Sequence, residues 1–396
     1  MGLVALFAVL VSDTALKDGA RTAEFQRKNE IKESLSPHGD VLELKIVKSY
    51  KLLKSKIDKS QDTLDLELTL GICRRLLYRI IDKLFTFKGS PESYLILMRT
   101  LGLSKFLRKV GVEVLVCPTP NNWLSKFAGS CIVGSVWDLG HLDYAHFLEF
   151  KKDNYIKNRN FNLSLTLSVS SALVTESESL STSLRQFQNA AEKSISSIPF
   201  LPIINLPTTQ YSNGGLIHLP KSFVFYPAAN WEHKNHIVLF EALSTLIAQG
   251  KKVKHLVLAG KNTSTLLHLV KKFSLNDYVH ILGRVSSQEL AICYSQCSAL
   301  VMPSFIGPTN LPPLEGLQYG KIVYISNRHF FDDRLMRFMI VKDPNDSSDW
   351  TECFTSNLKP DSRRIEEIDD VFDQIKVENR KKWVNICLSL KSQKSV

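Results

Sequence analysis

The chain has 396 residues, which is too long for one ordinary hydrophobic core and predicts two domains. Its apolar fraction of 44% is that of a soluble globular protein, and no apolar stretch is long enough to span a bilayer. The net charge of +11 suggests an acidic partner: nucleic acid, an anionic membrane surface or a phosphorylated substrate. A basic surface without a specific partner is the alternative.

The first half alternates short apolar runs with helical patterns. The run Gly2–Val11 lacks the basic flank of a signal peptide and predicts a buried strand or a first helix. Further predicted strands are Leu42–Val47, Val112–Pro118, Ser130–Val136 and Leu173–Thr175, and predicted helices are Leu64–Phe85 and Glu92–Val110. This alternation indicates a mostly parallel sheet.

Residues 195–219 are rich in Pro, Asn, Gly and Ser and form the best linker candidate. The alternation then restarts with predicted strands at Phe223–Tyr226, His255–Ala259, Val279–Leu282, Ala299–Met302 and Ile322–Ile325, and predicted helices at Asn235–Ala248, Ser264–Phe273, Ser287–Ser295 and Pro313–Tyr319. This order predicts a doubly wound sheet that binds its ligand at the carboxyl ends of the strands.

The seven cysteines are scattered, and no pair has zinc-ligand spacing. Cys293 and Cys297 lie four residues apart on a predicted helix without a matching His or Cys pair. We therefore expect reduced thiols in a cytosolic protein.

Polar groups follow three of the predicted strands in the second half. Lys234 stands at a helix start, where an ammonium and free backbone N–H groups suit a diphosphate. Gly260 would let a ligand approach the backbone, and Lys261 offers a second cation. For each lysine in isolation, a solvated surface position is the alternative.

The loop after Ala299–Met302 combines several oxygen and nitrogen donors. The Thr309 hydroxyl and the Asn310 amide suit phosphate oxygens. Glu315, in the predicted first turns of the next helix, would accept hydrogen bonds from ribose hydroxyls, or else compensates the charge of the helix N-terminus. In the first half, Asp138 and His141 follow a strand end and would reach a bound sugar, although a structural role is the commoner reading.

Together these strings resemble the retaining glycosyltransferases of the GT-B fold, family four in particular. The likeness is strongest over residues 223–327, in "FVFYPAANWEHKNH", "VHILGRVSSQEL", "LVMPSFIGPTNLPPLEGL" and "GKIVYISN". It is weaker over 112–175, where "SVWDLGHLDY" takes the place of a loop that is often His-Asp. The resemblance implies an α/β chain with two Rossmann-like doubly wound domains facing across a cleft.

The implied domains are an acceptor-side domain over residues 1–205, a nucleotide-sugar domain over 206–376, and a C-terminal helix over 377–396 that packs back on the first domain. The resemblance makes Asp138, His141 and Lys234 the catalytic group. It assigns donor binding to a set of six residues: Lys261, Gly283, Thr309, Asn310, Leu311 and Glu315.

The chain also departs from the family pattern. Gly307 stands where many members have the first of two glutamates, as in a branch with a "GPTN" loop. Ala229 lies near the usual arginine, and Trp137 occupies the usual histidine position. The glycine-rich loop after the first strand is not recognisable, which predicts a truncated start or a degenerate first strand.

The resemblance implies a cytosolic hexosyltransferase of polysaccharide or glycolipid synthesis. It would move a sugar from a nucleotide diphosphate donor to a saccharide or lipid-linked acceptor with retention. No Asp-x-Asp motif occurs, so we expect metal independence and no cofactor. An inactive GT-B scaffold or subunit is the main alternative, favoured by the departures. A GT-B epimerase and a nucleic-acid-binding protein are others, although no nucleic-acid motif supports the last.

A basic segment in the first half suggests a membrane contact. Residues 45–59 hold six lysines interleaved with apolar side chains, but the lysines do not share one helical face. Each cation near an anionic surface contributes about 1 kcal/mol. We therefore expect weak, salt-sensitive peripheral binding to anionic membranes, with a solvated basic surface as the alternative.

Overall fold

A computed structural model describes residues 5–10, 42–47, 112–118, 120, 128–152, 154–202, 217–261, 263–307, 309, 311–359 and 362–392. The predicted helices Leu64–Phe85 and Glu92–Val110 and most of the basic segment 45–59 lie outside these residues. The described residues form two compact units. The first is drawn from Met1–Leu142, Asp153–Ile198 and Glu378–Val396, and the second from Asp143–Lys152 and Pro199–Val377.

The first unit contains a six-stranded parallel sheet in the order β2-β1-β3-β4-β5-β6. Its strands are β1 (Ala5–Leu10), β2 (Leu42–Val47), β3 (Val112–Val116), β4 (Cys131–Ser135), β5 (Ala172–Thr175) and β6 (Ser194–Ser197), and its described helices up to β6 are α1 (Gly140–Asp143), α2 (Tyr155–Val169) and α3 (Glu178–Arg185). The run Gly2–Val11 thus supplies a strand rather than a helix, and β1 pairs with both β2 and β3.

The second unit contains a six-stranded parallel sheet in the order β12-β11-β10-β7-β8-β9. Its strands are β7 (Phe223–Tyr226), β8 (His255–Ala259), β9 (Val279–Gly283), β10 (Ala299–Met302), β11 (Ile322–Ser326) and β12 (Met339–Lys342). Its helices are α4 (His236–Ala248), α5 (Thr263–Lys272), α6 (Ser287–Gln296), α7 (Leu311–Gln318), α8 (Asp333–Met336) and α9 (Thr351–Thr355).

Helix α10 (Ser362–Ser392) contributes to the cores of both units. In the second unit, Ile368 and Phe372 pack into the cluster built on β7, β8, β10 and β11. In the first unit, Trp383 and Cys387 pack with Val114 and its neighbours on β3, β4 and β5. No helix among the described residues is long and apolar enough to cross a membrane.

The cysteines that the structure describes lie in the interior of the two units. Six of the seven, all except Cys73, lie in the described residues, and each is a buried thiol outside any disulfide among them. Burial raises the pKa of Cys293 and of Cys297 to about 12, so both thiols stay protonated at neutral pH. These residues are packing groups of the core rather than nucleophiles.

Candidate functional site

The strand order of the second sheet reverses at β7. The chain runs from β7 through β8 to β9 on one side, and then crosses to β10, β11 and β12 on the other. The loops that follow β7 and β10 therefore leave neighbouring strands in opposite directions. In open parallel sheets this point is where ligands bind, outside the carboxyl ends of the strands.

The loop after β7 is held in place by hydrogen bonds to its own strand and to two further loops. It forms a 3₁₀ turn over Glu232–Lys234, and the Tyr226 hydroxyl donates to the Lys234 carbonyl at 2.8 Å. Asn235 then adopts a left-handed conformation with φ of 52°, which asparagine tolerates better than most residues. Its buried amide donates to the carbonyls of Pro303, at 3.3 Å, and Pro344, at 2.7 Å.

The loop after β10 is bonded directly to that 3₁₀ turn. The Phe305 N–H donates to the His233 carbonyl at 2.8 Å. The Lys234 ammonium donates to the Ile306 carbonyl at 3.2 Å. The structure therefore places Lys234 at the reversal point, beside the loop that leads into α7. It ends a 3₁₀ turn just before α4 rather than standing in that helix.

A buried histidine contacts the first residues of the loop after β10. His329 Nε2 lies 3.0 Å from the Ser304 hydroxyl, and both residues are fully enclosed. Burial, reinforced by the charge of Lys234, lowers the pKa of His329 to about 3. The imidazole is therefore neutral at physiological pH and does not compete with Lys234 for an anion.

Gly260 has a structural role that the sequence analysis did not foresee. A Cβ at this position would lie 2.4 Å from the Ala228 carbonyl oxygen, so the glycine permits close approach of the loops that follow β8 and β7. One backbone bond fixes this contact, from the Asn230 N–H to the Lys261 carbonyl at 3.0 Å. A second, from the Gly260 N–H to the Gly283 carbonyl at 2.7 Å, joins the ends of β8 and β9. Lys261 and Gly283 thus sit at adjoining strand ends.

Glu315 is the fifth residue of α7, because the helix begins at Leu311 and not at Pro313 as predicted. Its carboxylate accepts a hydrogen bond of 2.5 Å from the Tyr294 hydroxyl of α6. Burial raises the pKa of Glu315, and the bond from Tyr294 opposes that rise in part. The position is too deep in the helix for simple compensation of its N-terminal charge.

The rest of the predicted donor loop is only partly described. Thr309 is half-buried, and Leu311 is buried and opens α7. Asn310 lies outside the described residues. Gly316 allows α7 to pack closely against β10 and β11. A Cβ at this position would lie 3.0 Å from a Leu300 side-chain carbon and 3.1 Å from one of Val323.

A segment that the sequence analysis assigned to the first domain packs against the 3₁₀ turn in the second unit. Glu149 accepts from the His233 N–H at 3.1 Å and also pairs with the His233 ring. The Leu148 N–H donates to Glu232 at 2.6 Å. The Phe150 and His233 rings stack at 6.1 Å. The Asp143–Lys152 segment therefore fixes the turn that carries Lys234.

Asp138 and His141 belong to the first unit. Asp138 forms a 2.9 Å ion pair with Arg159 of α2 and accepts the Gly140 N–H at 3.0 Å, so it caps α1. The Asp138 charge and the Tyr155 hydroxyl raise the pKa of Arg159 against the opposing effect of burial. His141 lies buried in α1, 2% exposed.

The structure thus brings Lys234, Lys261, Gly283 and the loop before Glu315 to one edge of the second sheet. Three residues that hold this edge escaped the sequence analysis: Glu149, Tyr294 and His329. None of these three had a local signal in the sequence. Asn235, whose left-handed conformation was also not predicted, did have one, since an asparagine between a strand and a helix favours that conformation. Within the described residues, no group of three or more His, Cys, Asp or Glu side chains is arranged to hold a metal ion.

Comparisons of the sequence with known proteins identify similar enzymes. Residues 210–360 match the family model of glycosyl transferases group 1. A 124-residue stretch is 27% identical to the O-antigen chain mannosyltransferase RfbU of Salmonella typhimurium, covering 31% of this chain. The match spans about a third, 34%, of the length of that curated relative.

Solved structures are similar over nearly the whole chain. Sucrose-phosphate synthase from Thermosynechococcus elongatus matches with a TM-score of 0.64 at 14% identity, covering 97% of this chain and all, 100%, of that one. Anabaena HepE in complex with UDP and glucose matches with a TM-score of 0.56 at 13% identity, covering 97% and 100%. The lipopolysaccharide outer core galactosyltransferase WaaB matches with a TM-score of 0.55 at 13% identity, covering 96% and 99%. The chain therefore has the GT-B fold, and its second unit carries the sequence similarity to group 1 glycosyl transferases.

Proposed function

We propose that the protein is a retaining glycosyltransferase that moves a sugar from a nucleotide diphosphate donor to an acceptor hydroxyl. The match of residues 210–360 to group 1 glycosyl transferases supports the reaction class. The likeness to an O-antigen mannosyltransferase supports a role in polysaccharide or glycolipid synthesis. The HepE structure contains UDP, which supports a nucleotide-sugar donor.

The observation that carries the proposal is the position of Lys234. Its ammonium lies beside the β10 loop, at the point where the strand order reverses. Departure of a nucleoside diphosphate leaves negative charge on the β-phosphate. A fixed ammonium stabilises that charge more strongly in the transition state than in the bound donor, which lowers the barrier.

The remaining roles follow from position where the structure describes the residue, and otherwise from the sequence motif. Lys261 and Gly283 flank the donor at the ends of β8 and β9. Thr309 holds phosphate oxygens from the loop before α7, which begins at Leu311, and the sequence motif gives Asn310 the same role. The Glu315 oxygen that does not accept from Tyr294 accepts from the ribose hydroxyls.

Asp138 and His141 of the first unit orient the sugar, with the Asp138 carboxylate held by Arg159. The chemistry needs no cofactor, and we propose that it proceeds without a metal ion. A saccharide or lipid-linked hydroxyl is the acceptor.

An inactive GT-B subunit remains the alternative, because Gly307 stands where many relatives have a glutamate. Tests of binding and of turnover separate the two. A thermal-shift screen of the full chain against UDP, GDP and their sugars comes first, since a ligand at about a hundredfold its dissociation constant adds roughly 2.7 kcal/mol of stability. A stabilising donor is then assayed for hydrolysis and transfer, and the anomeric configuration of the product is read by NMR.

Stabilisation together with turnover and a retained configuration supports the proposal. Binding without any turnover would identify the inactive subunit. Inversion at the anomeric carbon would contradict the retaining mechanism, and no stabilisation by any nucleotide would remove the donor site.

A further inference from the structure

A second basic site lies away from the loops that follow β7 and β10. It is a cavity of about 380 Å³ in the second unit, lined by Arg337, Phe338, Met339, Arg363, Arg364 and Glu367. Met339 is the first residue of β12, so the cavity opens at the amino edge of the parallel sheet. The candidate donor site occupies the carboxyl edge of the same sheet. The two sites are therefore separate within one unit.

Two guanidinium groups in this cavity share one aromatic ring. The Arg337 Cζ lies 4.6 Å from the Phe338 ring centroid, and the Arg364 Cζ lies 6.0 Å from the same centroid. Arg364 also donates to the Phe338 carbonyl. These contacts hold the two cations close together and limit their freedom to separate.

The cavity carries an excess of positive charge. Among its described lining residues, three are arginines and Glu367 is the single carboxylate. Glu367 lies 3.6 Å from Arg337, and both side chains are more than half exposed, at 59% and 56%. An exposed pair of this kind neutralises little, because solvent screens it.

The position of the arginines within α10 adds to the excess. Arg363 and Arg364 are the second and third residues of the helix, and its first turn contains no acidic residue. A helix N-terminus carries partial positive charge and free N–H groups, so acidic residues are preferred there and basic residues are unfavourable.

We propose that this cavity binds a phosphate group, as a phosphomonoester or a diphosphate. The three guanidinium groups supply planar, charge-assisted donors, which is the chemistry that recognises phosphate oxygens. A volume of about 380 Å³ accepts a diphosphate or the phosphorylated end of a larger ligand.

The test titrates the full chain with inorganic pyrophosphate by calorimetry. Arg363→Gln is the lead variant because Arg363 is exposed, whereas Arg364 contacts the Phe338 carbonyl and ring and its loss would perturb the fold. Losing one charge-assisted contact should weaken pyrophosphate binding roughly tenfold, equivalent to 1.4 kcal/mol. Lys252→Gln, which removes an exposed cation of the same unit outside the cavity, should leave the affinity unchanged.

A second variant separates this cavity from the donor site. The Lys234→Ala protein should still bind pyrophosphate, and adding Arg363→Gln to it should weaken that binding. If pyrophosphate binding is lost in Lys234→Ala and unaffected by Arg363→Gln, or if Lys252→Gln weakens it as much as Arg363→Gln, the cavity is not a phosphate site. Absence of any binding to the Lys234→Ala protein would also overturn the proposal.

Vesicle co-sedimentation identifies the source of the phosphate. A lipid headgroup is identified if the protein pellets with phosphatidylinositol-4-phosphate vesicles but not with phosphatidylcholine vesicles, and if Arg363→Gln abolishes this pelleting. Pyrophosphate binding without such pelleting identifies a soluble phosphorylated ligand. Either result supports the cavity as the site, whereas pelleting that Arg363→Gln leaves unchanged speaks against a headgroup there.

Discussion

The two units carry their candidate carboxylates in different electrostatic surroundings. In the first unit, Asp138 faces the guanidinium of Arg159 at 2.9 Å, so its negative charge is matched by a fixed cation. In the second unit, Glu315 accepts a hydrogen bond from the neutral hydroxyl of Tyr294 at 2.5 Å. The ion pair neutralises Asp138, whereas the phenol orients Glu315 and leaves its charge to be satisfied elsewhere.

This difference in partners gives the two carboxylates different capacities to bind a ligand. A carboxylate paired with arginine positions a loop and contributes modest stability when the pair is partly exposed. A carboxylate that is buried beside a neutral donor keeps a free oxygen for a ligand, and burial strengthens its hydrogen bonds. The second unit also ties its two strand-end loops together through Lys234 and Asn235. Variants that disturb either unit therefore test the comparison.

The largest effect is expected at Lys234. Lys234→Ala should lower turnover about a hundredfold or more, because a charge contact specific to the transition state is lost. Initial rates with the donor found in the thermal-shift screen measure this, and Lys252→Ala is the matched control. Turnover that stays within about twofold of the wild type would remove Lys234 from the site.

Glu315→Gln should weaken nucleoside diphosphate binding about tenfold, since a charged acceptor of the ribose becomes neutral. The melting temperature of the ligand-free protein should stay nearly unchanged, because glutamine still accepts from Tyr294. Calorimetry and thermal unfolding check both points. Tyr294→Phe is the matched control for stability: it leaves Glu315 without this donor and should cost about 1–3 kcal/mol. Lost stability with unchanged affinity in Glu315→Gln would make Glu315 a structural residue.

Asp138→Asn should lower turnover about fivefold, the value of one hydrogen bond of about 1 kcal/mol to the sugar, and should leave UDP or GDP affinity unchanged. The asparagine can still accept from the Gly140 N–H and cap α1. Arg159→Gln, which removes the partner and keeps the carboxylate, serves as the control. Equal losses of nucleotide affinity in both variants would indicate that the pair acts through the fold.

The smallest effect concerns acid stability. The folded pKa of His329 is about 3, below the usual 6.5, so the unfolded state takes up the proton first. Stability is therefore full above pH 6.5 and is lost as the pH falls toward 3. Between pH 7.5 and 6.0 this histidine should cost about 0.8 kcal/mol. Urea unfolding of wild type and His329→Gln at the two pH values measures the difference, and equal losses in both proteins would show that His329 is not the cause.

Much of the second unit was predictable from the sequence. Phe223–Tyr226, His255–Ala259 and Ala299–Met302 were predicted with their observed bounds, because each is a buried apolar run that ends in turn residues. The strand Ser194–Ser197 was missed because its sequence, SISS, is mostly polar. The start of α7 was placed two residues late because two prolines lie in its first turn. Proline is often read as a helix boundary, but N–H groups in the first turn have no partner within the helix, so proline is tolerated there.

The candidate site was predictable only in part. The sequence placed Lys234 and Glu315 after strand ends, but it did not reveal Tyr294 as the partner of Glu315 or Glu149 as the partner of His233. It also assigned to Gly260 a ligand contact where the structure has the Ala228 backbone. Each of these contacts joins segments that are distant along the chain, and periodicity in one segment carries no information about its partner.

The sequence by itself determined the alternation of buried strands and amphipathic helices, and with it the edge of the sheet at which Lys234 lies. Those features depend on local apolar periodicity and on the order of the elements. Only the tertiary structure decided that Asn235 bonds Pro344 and that Arg337 and Arg364 share the Phe338 ring. Such pairs depend on how helices and loops pack over the sheet, because burial and charge act between neighbours in space rather than in sequence.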